Sequence, residues 1–299
     1  MGAWCAPSMM EDAMFKSSVC SYENRGPYGN NKYRGNCSGF IVKDFIESYM
    51  RKPNGLVADP SVGGGSSIDV ANELGVRFKG TDLHQGFNLL RDDFLSFLGE
   101  PAHLIWWHPP YWDMIQYSGK QWGEPNKWDM SRMNLPEFVE ALELAVMNIH
   151  DACERGGHYG ILMGNLRRDG DYFNLSSLVE RIAPGKLVDE IIKTQHNCVS
   201  DRTQYSGKLL VFRRNDVASS LCLLAAVHRR ATNMVSTTWK AAIRRTLQGK
   251  TLKLEQIYKE IEPYAKHREN NHWQAKVRQV LQDARFFIRI EVGVYALAE

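Results

Sequence analysis

Short apolar strand patterns alternate with helical patterns along most of the chain, and this alternation is what most constrains the fold. The first repeat is an apolar strand at 55–60 that ends in an acid, a glycine turn at 62–67 and a helical pattern at 67–75. Two later strand patterns, 187–195 and 207–214, have no helix between them, which predicts an antiparallel pair. The sequence therefore predicts a doubly wound, mostly parallel α/β sheet with an antiparallel hairpin at its edge.

The other elements up to residue 214 follow from the same two periodicities. Further helices are predicted at 40–50, 135–157 and 175–183. Further strands are predicted at 76–83, 103–112 and 158–165. Residues 1–30 are rich in Gly, Asn, Ser and Met without periodicity, so we expect a flexible leader before a first domain at 31–214.

Composition excludes several classes of protein. Hydrophobic residues make up 43% and charged residues 24%, which is typical of a globular protein. No apolar run approaches the ~20 residues that span a membrane, and the N-terminus lacks the apolar core of a signal peptide. The 6 cysteines are spread out without a CxxC pair, which argues against a zinc ribbon or a disulfide scaffold. We expect a reduced, cytoplasmic protein without a membrane partner or a metal.

The C-terminal part of the chain differs from the rest in charge and in pattern. The net charge of the chain is +3, yet residues 218–299 hold 14 Lys and Arg against 7 Asp and Glu. After a connector at 215–236, three helical patterns precede a strand–turn–strand pattern around Gly293. This layout is typical of a winged helix-turn-helix, which places its last helix in a groove of DNA. The basic charge of 237–299 favours DNA binding over the alternative, a small helical dimerisation domain.

The first glycine turn, ADPSVGGGSS, joins a strand to a helix and carries an acid before three glycines. Glycines allow a sharp turn and a close approach to a ligand, and ligands of open α/β sheets lie beyond the carboxyl ends of the strands. Asp82 ends the next strand, where a carboxylate can accept both hydroxyls of a ribose. A P-loop is excluded because no GK[ST] follows the glycines, and a GxGxxG dinucleotide site fits poorly. A purely structural turn remains the alternative.

The strand at 103–107 ends in the run His108, Pro109, Pro110, Tyr111, Trp112. Two prolines force a rigid, extended exit from the strand, so their carbonyls are fixed and unavailable to a helix. A polar side chain before them and an aromatic after them make a slot with hydrogen-bond acceptors and a stacking face. Such a slot suits a planar base with an exocyclic amine. The alternative is a strand that simply ends in a turn.

The glycine turn and HPPYW together resemble the S-adenosylmethionine-dependent amino-methyltransferases of DNA. That family has a DPxxGxGT-like turn for the cofactor and a [DNS]PP[YFW] tetrapeptide for the target amine. The segment YRGNCSGFIVKDFI at 33–46 resembles the family's additional cofactor segment, so the resemblance covers about 33–214. It implies a class I methyltransferase-like fold, S-adenosyl-L-methionine as cofactor and DNA as partner. The motif order is that of the subgroup with target recognition toward the C-terminus.

The resemblance also implies roles for individual residues. The floor under the methionine part of the cofactor would be formed by the glycine turn, residues Asp59, Pro60, Ser61, Gly63, Gly64 and Gly65. Asp82 would bind the ribose and Leu83 would pack on the adenine. The adenine would be covered by Asp93 and Phe94, with Asp92 as an alternative for the polar role. The far side of the cofactor would be lined by Asn36, Cys37 and Ser38.

The tetrapeptide departs from the family at His108, where Asp, Asn or Ser is usual. The resemblance implies that this side chain and the carbonyl of Pro109 accept hydrogen bonds from the amine, while Tyr111 stacks on a flipped base with help from Trp112. A neutral imidazole has one acceptor nitrogen and a protonated one has none, so we expect a neutral His108 with a pKa at or below ~6.5. Asp or Asn is typical of adenine enzymes and Ser followed by Trp of cytosine enzymes, so both targets stay open and adenine N6 is favoured over cytosine N4.

Basic residues mark the predicted DNA contacts. Aromatic and basic residues mix in the loop at 113–134, which suits an opened base and its phosphates or, alternatively, covers the core. The predicted DNA-binding residues are Lys120, Lys127, Arg244, Arg245, Lys276 and Arg278. Two alternatives to a DNA methyltransferase stay open: methylation of RNA or of a protein glutamine, and a catalytically weak or inactive DNA-binding regulator. The oligomeric state, the recognition sequence and a restriction partner are not predicted.

Overall fold

The computed structural model describes residue 15 and residues 17–194, 207–215, 238–267 and 271–298. These residues form two compact units, one of residues 1–89 with 94–216 and one of residues 90–93 with 217–299. The predicted connector at 215–236 lies outside the described residues apart from Asn215.

The first unit is built on a seven-stranded sheet. Its strands, in chain order, are β1 (Val19–Ser21), β2 (Val57–Asp59), β3 (Phe78–Gly80), β4 (Ala102–Trp107), β5 (Cys153–Met163), β8 (Lys186–Thr194) and β9 (Gly207–Arg213). Their order across the sheet is β1-β8-β9-β5-β4-β2-β3. Only β9 runs antiparallel to its neighbours, which confirms the predicted α/β class with a mostly parallel sheet.

The predicted antiparallel pair is β8 and β9, but β9 does not lie at the edge. It is inserted between β5 and β8, and four consecutive apolar side chains, Leu209 to Phe212, are buried there. An inner strand of a sheet that is covered by helices on both sides buries side chains on both faces, which accounts for this continuous apolar run.

The edge next to β8 is formed by β1, in the segment that the sequence analysis assigns to a flexible leader. Val19 to Ser21 pair in parallel with Ile192 to Thr194, and Cys20 is buried in the core. The expectation of a leader needs correction for this strand, because backbone pairing with β8 holds it in the sheet. Residues 1–14, which belong to the same predicted leader, lie outside the described residues.

Helices cover the sheet of the first unit. They are α1 (Gly39–Tyr49), α2 (Ser66–Leu74), α3 (Phe94–Leu98), α4 (Leu135–Ala152) and α5 (Leu175–Ile182). A small hairpin of β6 (Leu166–Arg168) and β7 (Asp171–Phe173) precedes α5. The α1 helix packs Ile41 and Phe45 into a core with Leu104 and Trp106 of β4. This packing fixes the carboxyl end of β4, where the predicted slot begins.

The α4 helix begins as predicted and ends earlier than predicted. Asn134 and Glu137 form a capping box at its start, with a proline in the first turn. The glycines at 156 and 157, which predicted its end, lie inside β5 instead. The amide of Gly156 donates to the carbonyl of Arg214 and the amide of Arg214 donates to the carbonyl of Gly157. These bonds extend the sheet across the glycines, so the chain becomes a strand at Cys153.

The second unit contains three helices and a three-stranded sheet among its described residues. The elements are α6 (Trp239–Leu247), β10 (Leu252–Lys253), α7 (Leu254–His267), α8 (Trp273–Leu281), β11 (Phe287–Glu291) and β12 (Val294–Leu297), with the sheet order β10-β12-β11. Ile243, Ile257, Val277 and Phe287 form its core. Gly293 makes the turn between β11 and β12 with a φ of 77°, a conformation that favours glycine.

Candidate active site

The carboxyl ends of β2, β3 and β4 lie at one edge of the sheet of the first unit, because these strands are parallel neighbours. Asp59 is the last residue of β2, Asp82 follows β3, and His108 follows β4. The indole Nε1 of Trp107 donates to Oγ of Ser61 at 3.2 Å, which connects the end of β4 to the glycine turn. The predicted cofactor and amine motifs are therefore neighbours.

Asp59 holds the glycine turn against α2. Its carboxylate accepts hydrogen bonds from the amide of Ser61 at 2.8 Å and from Oγ of Ser67 at 2.6 Å. The side chain is buried, and burial raises its pKa to about 7, against the two hydrogen bonds that lower it. Asp59 thus shapes the turn from within.

The glycine turn needs glycine at two positions. Gly63 has a φ of 49° and Gly65, the N-cap of α2, has a φ of 89°, both in the left-handed region. The amide of Gly63 donates to Oδ2 of Asp82 at 2.9 Å. Oδ1 of Asp82 lies 2.8 Å from Nδ1 of His84, and this carboxylate raises the pKa of His84. Asp82 therefore already connects the turn to the residues that follow β3.

Residues 30–36, at the start of the predicted additional cofactor segment, cover the glycine turn. The amide of Asn30 donates to the carbonyl of Gly64 at 2.7 Å, and a Cβ on Gly64 would collide with the amide group of Asn36. The ring of Tyr33 stacks on that of Tyr117 at 5.8 Å between centroids. Burial, together with the charges of Asp129 and Asp82, raises the pKa of Tyr117 to about 12. Residues 30–36 thus lie between the glycine turn and the loop at 113–134.

A cleft of about 570 Å³ opens beside this segment. It brings together two of the predicted groups: Asn36, Cys37 and Ser38 from the additional cofactor segment, and His108, Pro109 and Tyr111 from the tetrapeptide. The glycine turn, Asp82 and Leu83 are not among the residues that line it. The cleft also has lining residues that the sequence analysis missed, among them Arg25, Lys193 and Thr194. No local motif marks these three, since β8 supplies two of them and the predicted leader supplies the third.

His108 and Tyr111 contact each other across the prolines. Nε2 of His108 lies 2.9 Å from Oη of Tyr111, and the rings meet edge to face. Burial, with a smaller contribution from the charge of Lys193, lowers the pKa of His108 to about 3. The imidazole is therefore neutral at physiological pH and keeps one acceptor nitrogen.

Trp112 points away from the cleft. Its backbone has a φ of 51°, its Nε1 donates to the carbonyl of Met133 at 3.0 Å, and its ring packs on Phe173 at 5.2 Å between centroids. These contacts anchor the loop that follows the tetrapeptide. Pro110 and Trp112 do not line the cleft, in contrast to their three partners in the motif.

The residues predicted to cover an adenine are not gathered in the cleft. Phe94 is fully buried against Phe87 and Phe97, and its amide donates to Oδ1 of Asn148 at 3.0 Å, so its ring belongs to the core. Asp92 is exposed. Asp93 pairs with Nζ of Lys240 at 2.7 Å within the second unit. The apolar residues of the LLRDDF segment, Leu89, Leu90 and Phe94, are all buried.

The loop at 113–134 is held from inside by Asp129. This buried carboxylate accepts hydrogen bonds from the amide and the hydroxyl of Ser118, both at 2.7 Å, and from those of Ser131. Lys120 and Lys127 are exposed, and Nζ of Lys127 lies 5.2 Å from the ring centroid of Trp128. Both predicted DNA contacts of the loop are thus on its surface.

The four basic residues predicted in the second unit lie on two helices. Arg278 of α8 is exposed and donates to Oη of Tyr258 at 2.8 Å, and Lys276 of the same helix donates to Gln279 at 3.0 Å. Arg244 of α6 lies over the ring of Phe286 at 5.1 Å, and Arg245 beside it is half-buried, which lowers its pKa. Arg278 is therefore the exposed residue of the four, while Lys276, Arg244 and Arg245 are half-buried.

Within residues 17–194, 207–215, 238–267 and 271–298, no group of three or more His, Cys, Asp or Glu side chains could hold a metal ion. No helix in the same part of the chain is long and apolar enough to cross a membrane.

Comparisons with known proteins give structural likenesses alone. No protein-family model matches the chain, and no curated protein matches its sequence. TrmN from Thermus thermophilus is 12% identical with a TM-score of 0.35, over 60% of this chain and 50% of that one. A protein from Vibrio vulnificus YJ016, provisionally named the modification subunit of a type I restriction enzyme, is 17% identical with a TM-score of 0.38, over 61% and 44%.

A further likeness is to TTHA0409 from Thermus thermophilus, provisionally named a DNA modification methylase and solved in complex with S-adenosyl-L-methionine. It is 18% identical with a TM-score of 0.29, over 42% of this chain and 54% of that one. The present chain spans about half the length of each of these structures. TM-scores below 0.5 are too low to assign an activity to this chain.

Proposed function

We propose that the protein is a DNA methyltransferase that transfers a methyl group from S-adenosyl-L-methionine to the exocyclic amine of a flipped base, with adenine N6 favoured over cytosine N4. One observation carries the proposal. Two motifs 70 residues apart meet in a single cleft at the carboxyl edge of a mostly parallel sheet: Asn36–Ser38, and His108, Pro109 and Tyr111 of the tetrapeptide. In the DNA amino-methyltransferases that the sequence resembles, the cofactor segment and the tetrapeptide must lie side by side. No local sequence pattern brings the two segments together.

The cleft suits the proposed cofactor in size and in chemistry. Its volume of about 570 Å³ lies within the range of ~300–1,000 Å³ that holds most small ligands. A neutral imidazole at His108 tolerates a nearby cation. Asp82 does not line the cleft, but its carboxylate has lone pairs left for ribose hydroxyls. Residues 30–36 cover the glycine turn, so we infer that this segment shifts when Asp82 is used. When bound, S-adenosylmethionine supplies the methyl group on a sulfonium.

The residues of the tetrapeptide would act on the target amine. The acceptor nitrogen of His108 and the carbonyl of Pro109 would each accept a hydrogen bond from one N–H of the amine. These two hydrogen bonds keep the lone pair of the amine nitrogen out of the π system of the base. Acceptors that are fixed before the reaction stabilise the positive charge that develops on the nitrogen. Tyr111 supplies the stacking face for the base. No strong base is needed before the transfer, and the methylated nitrogen would then release its extra proton to water.

The second unit would supply affinity for DNA. Its element order of helix, short strand, helix, helix and hairpin supports the proposal of a winged helix-turn-helix, in which α8 would be the recognition helix. Lys276 and Arg278 lie on α8, and residues 218–299 carry twice as many basic as acidic residues. A basic domain of this kind favours DNA over a protein substrate.

A second candidate function is supported by one observation. The Nε2 atom of His108 already contacts Tyr111, at a position where the family has an acid, an amide or serine. A slot whose acceptor is engaged within the chain suits a DNA-binding protein with weak or no catalysis. The two candidates differ in turnover and agree in binding DNA.

The experiment that separates them uses unmethylated genomic DNA. We expect that incubation with methyl-labelled S-adenosylmethionine, followed by digestion to nucleosides and mass spectrometry, yields labelled N6-methyldeoxyadenosine. Labelled N4-methyldeoxycytidine would change the target base and keep the reaction. The variant His108→Ala is the negative control, and Arg51→Gln, an exposed change outside the cleft, is the matched positive control.

Absence of label in a protein that binds DNA would favour the second candidate. Label that enters RNA or a protein glutamine, under the same conditions and without entering DNA, would overturn the DNA assignment. The RNA and protein arms therefore run in parallel with total RNA and with a whole-protein extract, read by the same mass analysis.

A further inference from the structure

Arg25 presents buried donors without acceptors in the wall of the cleft. Its side chain lines the cleft, yet its Nε and Nη2 atoms are buried and have no hydrogen-bond partner among the described residues. Leaving buried donors unpaired is unfavourable, more so for a charged group. Nε and Nη2 form one edge of the guanidinium, the edge that binds both oxygens of a carboxylate or a phosphate.

The backbone of Arg25 is fixed to the segment predicted for the cofactor. The amide of Gly39, the first residue of α1, donates to the carbonyl of Arg25 at 3.1 Å. The hydroxyl of Ser38 donates to the carbonyl of Asn24 at 3.2 Å. Ser38 is the N-cap of α1 and lines the same cleft, so the positive end of the helix dipole adds to the charge of Arg25 there.

A second cation, Lys193 near the end of β8, also lines the cleft. The charge of Lys193 lowers the pKa of His108, and the charges of Lys193 and Arg25 both oppose the rise that burial causes in the pKa of Cys37. The effect of a charge on a pKa falls off with distance. Lys193 therefore lies near both His108 and Cys37, and Arg25 lies near Cys37. The described lining of the cleft has Glu23 as its acid.

We propose that Arg25, supported by Lys193, forms an oxyanion-binding subsite in the cleft, which takes the carboxylate of the bound cofactor or a phosphate of the target nucleotide. The subsite rests on the proposed function for the source of its anion. Binding would turn the buried Nε–Nη2 edge of the guanidinium toward the oxyanion. The hydrogen bond from Gly39 to Arg25, and that from Ser38 to the neighbouring Asn24, favour the cofactor carboxylate as the source.

The test compares ligands that differ by one anion. S-adenosylmethionine and its decarboxylated analogue form the carboxylate pair, and deoxyadenosine 5′-monophosphate and deoxyadenosine form the phosphate pair. Calorimetry measures all four with the full-length wild type, Arg25→Gln, Arg25→Lys and the control Arg51→Gln, an exposed arginine outside the cleft. We expect Arg25→Gln to weaken S-adenosylmethionine about tenfold to a hundredfold and to leave the decarboxylated analogue unchanged.

Arg25→Lys keeps the charge but cannot form two parallel hydrogen bonds to one carboxylate. Its affinity for S-adenosylmethionine should therefore lie between those of the wild type and Arg25→Gln. The same contrast in the phosphate pair would support the subsite and assign its anion to the nucleotide. If Arg25→Gln affects both members of each pair equally, the subsite is wrong while the proposed function stands. If the folded wild type binds none of the four ligands, both the subsite and the proposed function are wrong.

Discussion

The Nε2 atom of His108 lies 2.9 Å from the hydroxyl oxygen of Tyr111, and the two rings meet edge to face at 5.4 Å between centroids. The two residues with separate roles in the proposed slot thus form one unit. If the hydroxyl of Tyr111 donates, it uses the acceptor nitrogen that the target amine needs. If Nε2 donates instead, the acceptor is Nδ1. The tautomer of His108 therefore decides whether Tyr111 competes with the substrate.

The variant Tyr111→Phe separates these two cases. It keeps the stacking face and removes the hydroxyl, whose hydrogen bond contributes about 0.5–1.5 kcal/mol. We expect its single-turnover methylation rate to equal or exceed the wild-type rate, up to about tenfold. Tyr111→Ala loses base stacking worth about 1–3 kcal/mol and should be slower than the wild type. A Phe variant as slow as the Ala variant would show that the hydroxyl itself is required.

His108 should give no acid limb in the pH–rate profile at ordinary pH. Burial lowers its pKa to about 3, so the imidazole stays neutral from pH 5 to pH 8 and becomes protonated only as pH falls toward that value. We expect a flat contribution over that range under single-turnover conditions. His108→Asp, which restores an acceptor usual in the family, should retain activity, whereas His108→Ala should lose most of it. Wild-type turnover in the Ala variant would leave the role to backbone carbonyls.

The glycine turn and the class of the sheet could be predicted because their signals are local. An acid, glycines with left-handed φ values and a following helix are encoded within about 20 residues, and the parallel order follows from the alternation of strands and helices. The predicted end of α4 was wrong because a glycine pair, here at 156 and 157, is compatible both with the end of a helix and with a strand. Only the pairing with Arg214, far along the chain, selects the strand.

The parts of the site that the sequence did not predict depend on distant partners. Val19 to Ser21 form a strand only because β8 lies beside them, more than 160 residues later. The same pairing of β1 with β8 brings Arg25 and Lys193 to the cleft. The hydrophobic periodicity of the sequence does not predict this pairing. Trp112 adjoins the tetrapeptide in sequence, but its positive φ turns its ring to Phe173. The resemblance to the methyltransferase family does not predict which of these side chains line the cleft.

Asp59 should make the protein less stable as pH rises. Burial raises its folded pKa from 3.8 to about 7, so the folded state binds this proton more tightly than the unfolded state does. The stability from the protonated form is complete below the unfolded pKa and is lost as pH rises through about 7. We expect Asp59→Asn, which keeps the acceptor for Ser61, to lose less unfolding free energy than the wild type between pH 4 and pH 7.

Urea titrations at several pH values measure this difference. The exposed variant Glu100→Gln is the matched control, because it removes a carboxylate whose ion pair with Arg77 lies at the surface. Parallel pH profiles for the wild type and Asp59→Asn would contradict the assigned shift.

Asp82 should contribute to cofactor affinity both directly and through the turn. Asp82→Ala removes a possible ribose acceptor and also the bond to Gly63, and each charge-assisted hydrogen bond contributes about 1.5–3 kcal/mol. We expect calorimetry to give at least a tenfold loss of affinity for S-adenosylmethionine in the folded variant. His84→Ala, which removes the neighbour of Asp82 and keeps the carboxylate, should bind the cofactor as the wild type does. Unchanged affinity in Asp82→Ala would remove Asp82 from the cofactor site.

Basic residues of α8 should set part of the salt dependence of DNA binding. Each phosphate contact that is lost reduces the slope of log K against log salt concentration by about 0.9. We expect the full-length double variant Lys276→Gln/Arg278→Gln to bind a duplex more weakly and with a slope smaller by up to about 1.8, because two phosphate contacts are lost. The exposed Lys253→Gln on β10 is the control for the loss of a positive charge elsewhere in the same unit. Fluorescence anisotropy at four salt concentrations gives both slopes. If the double variant and the control have the same slope and affinity, α8 does not contact the DNA backbone, and the basic charge of the second unit serves another surface.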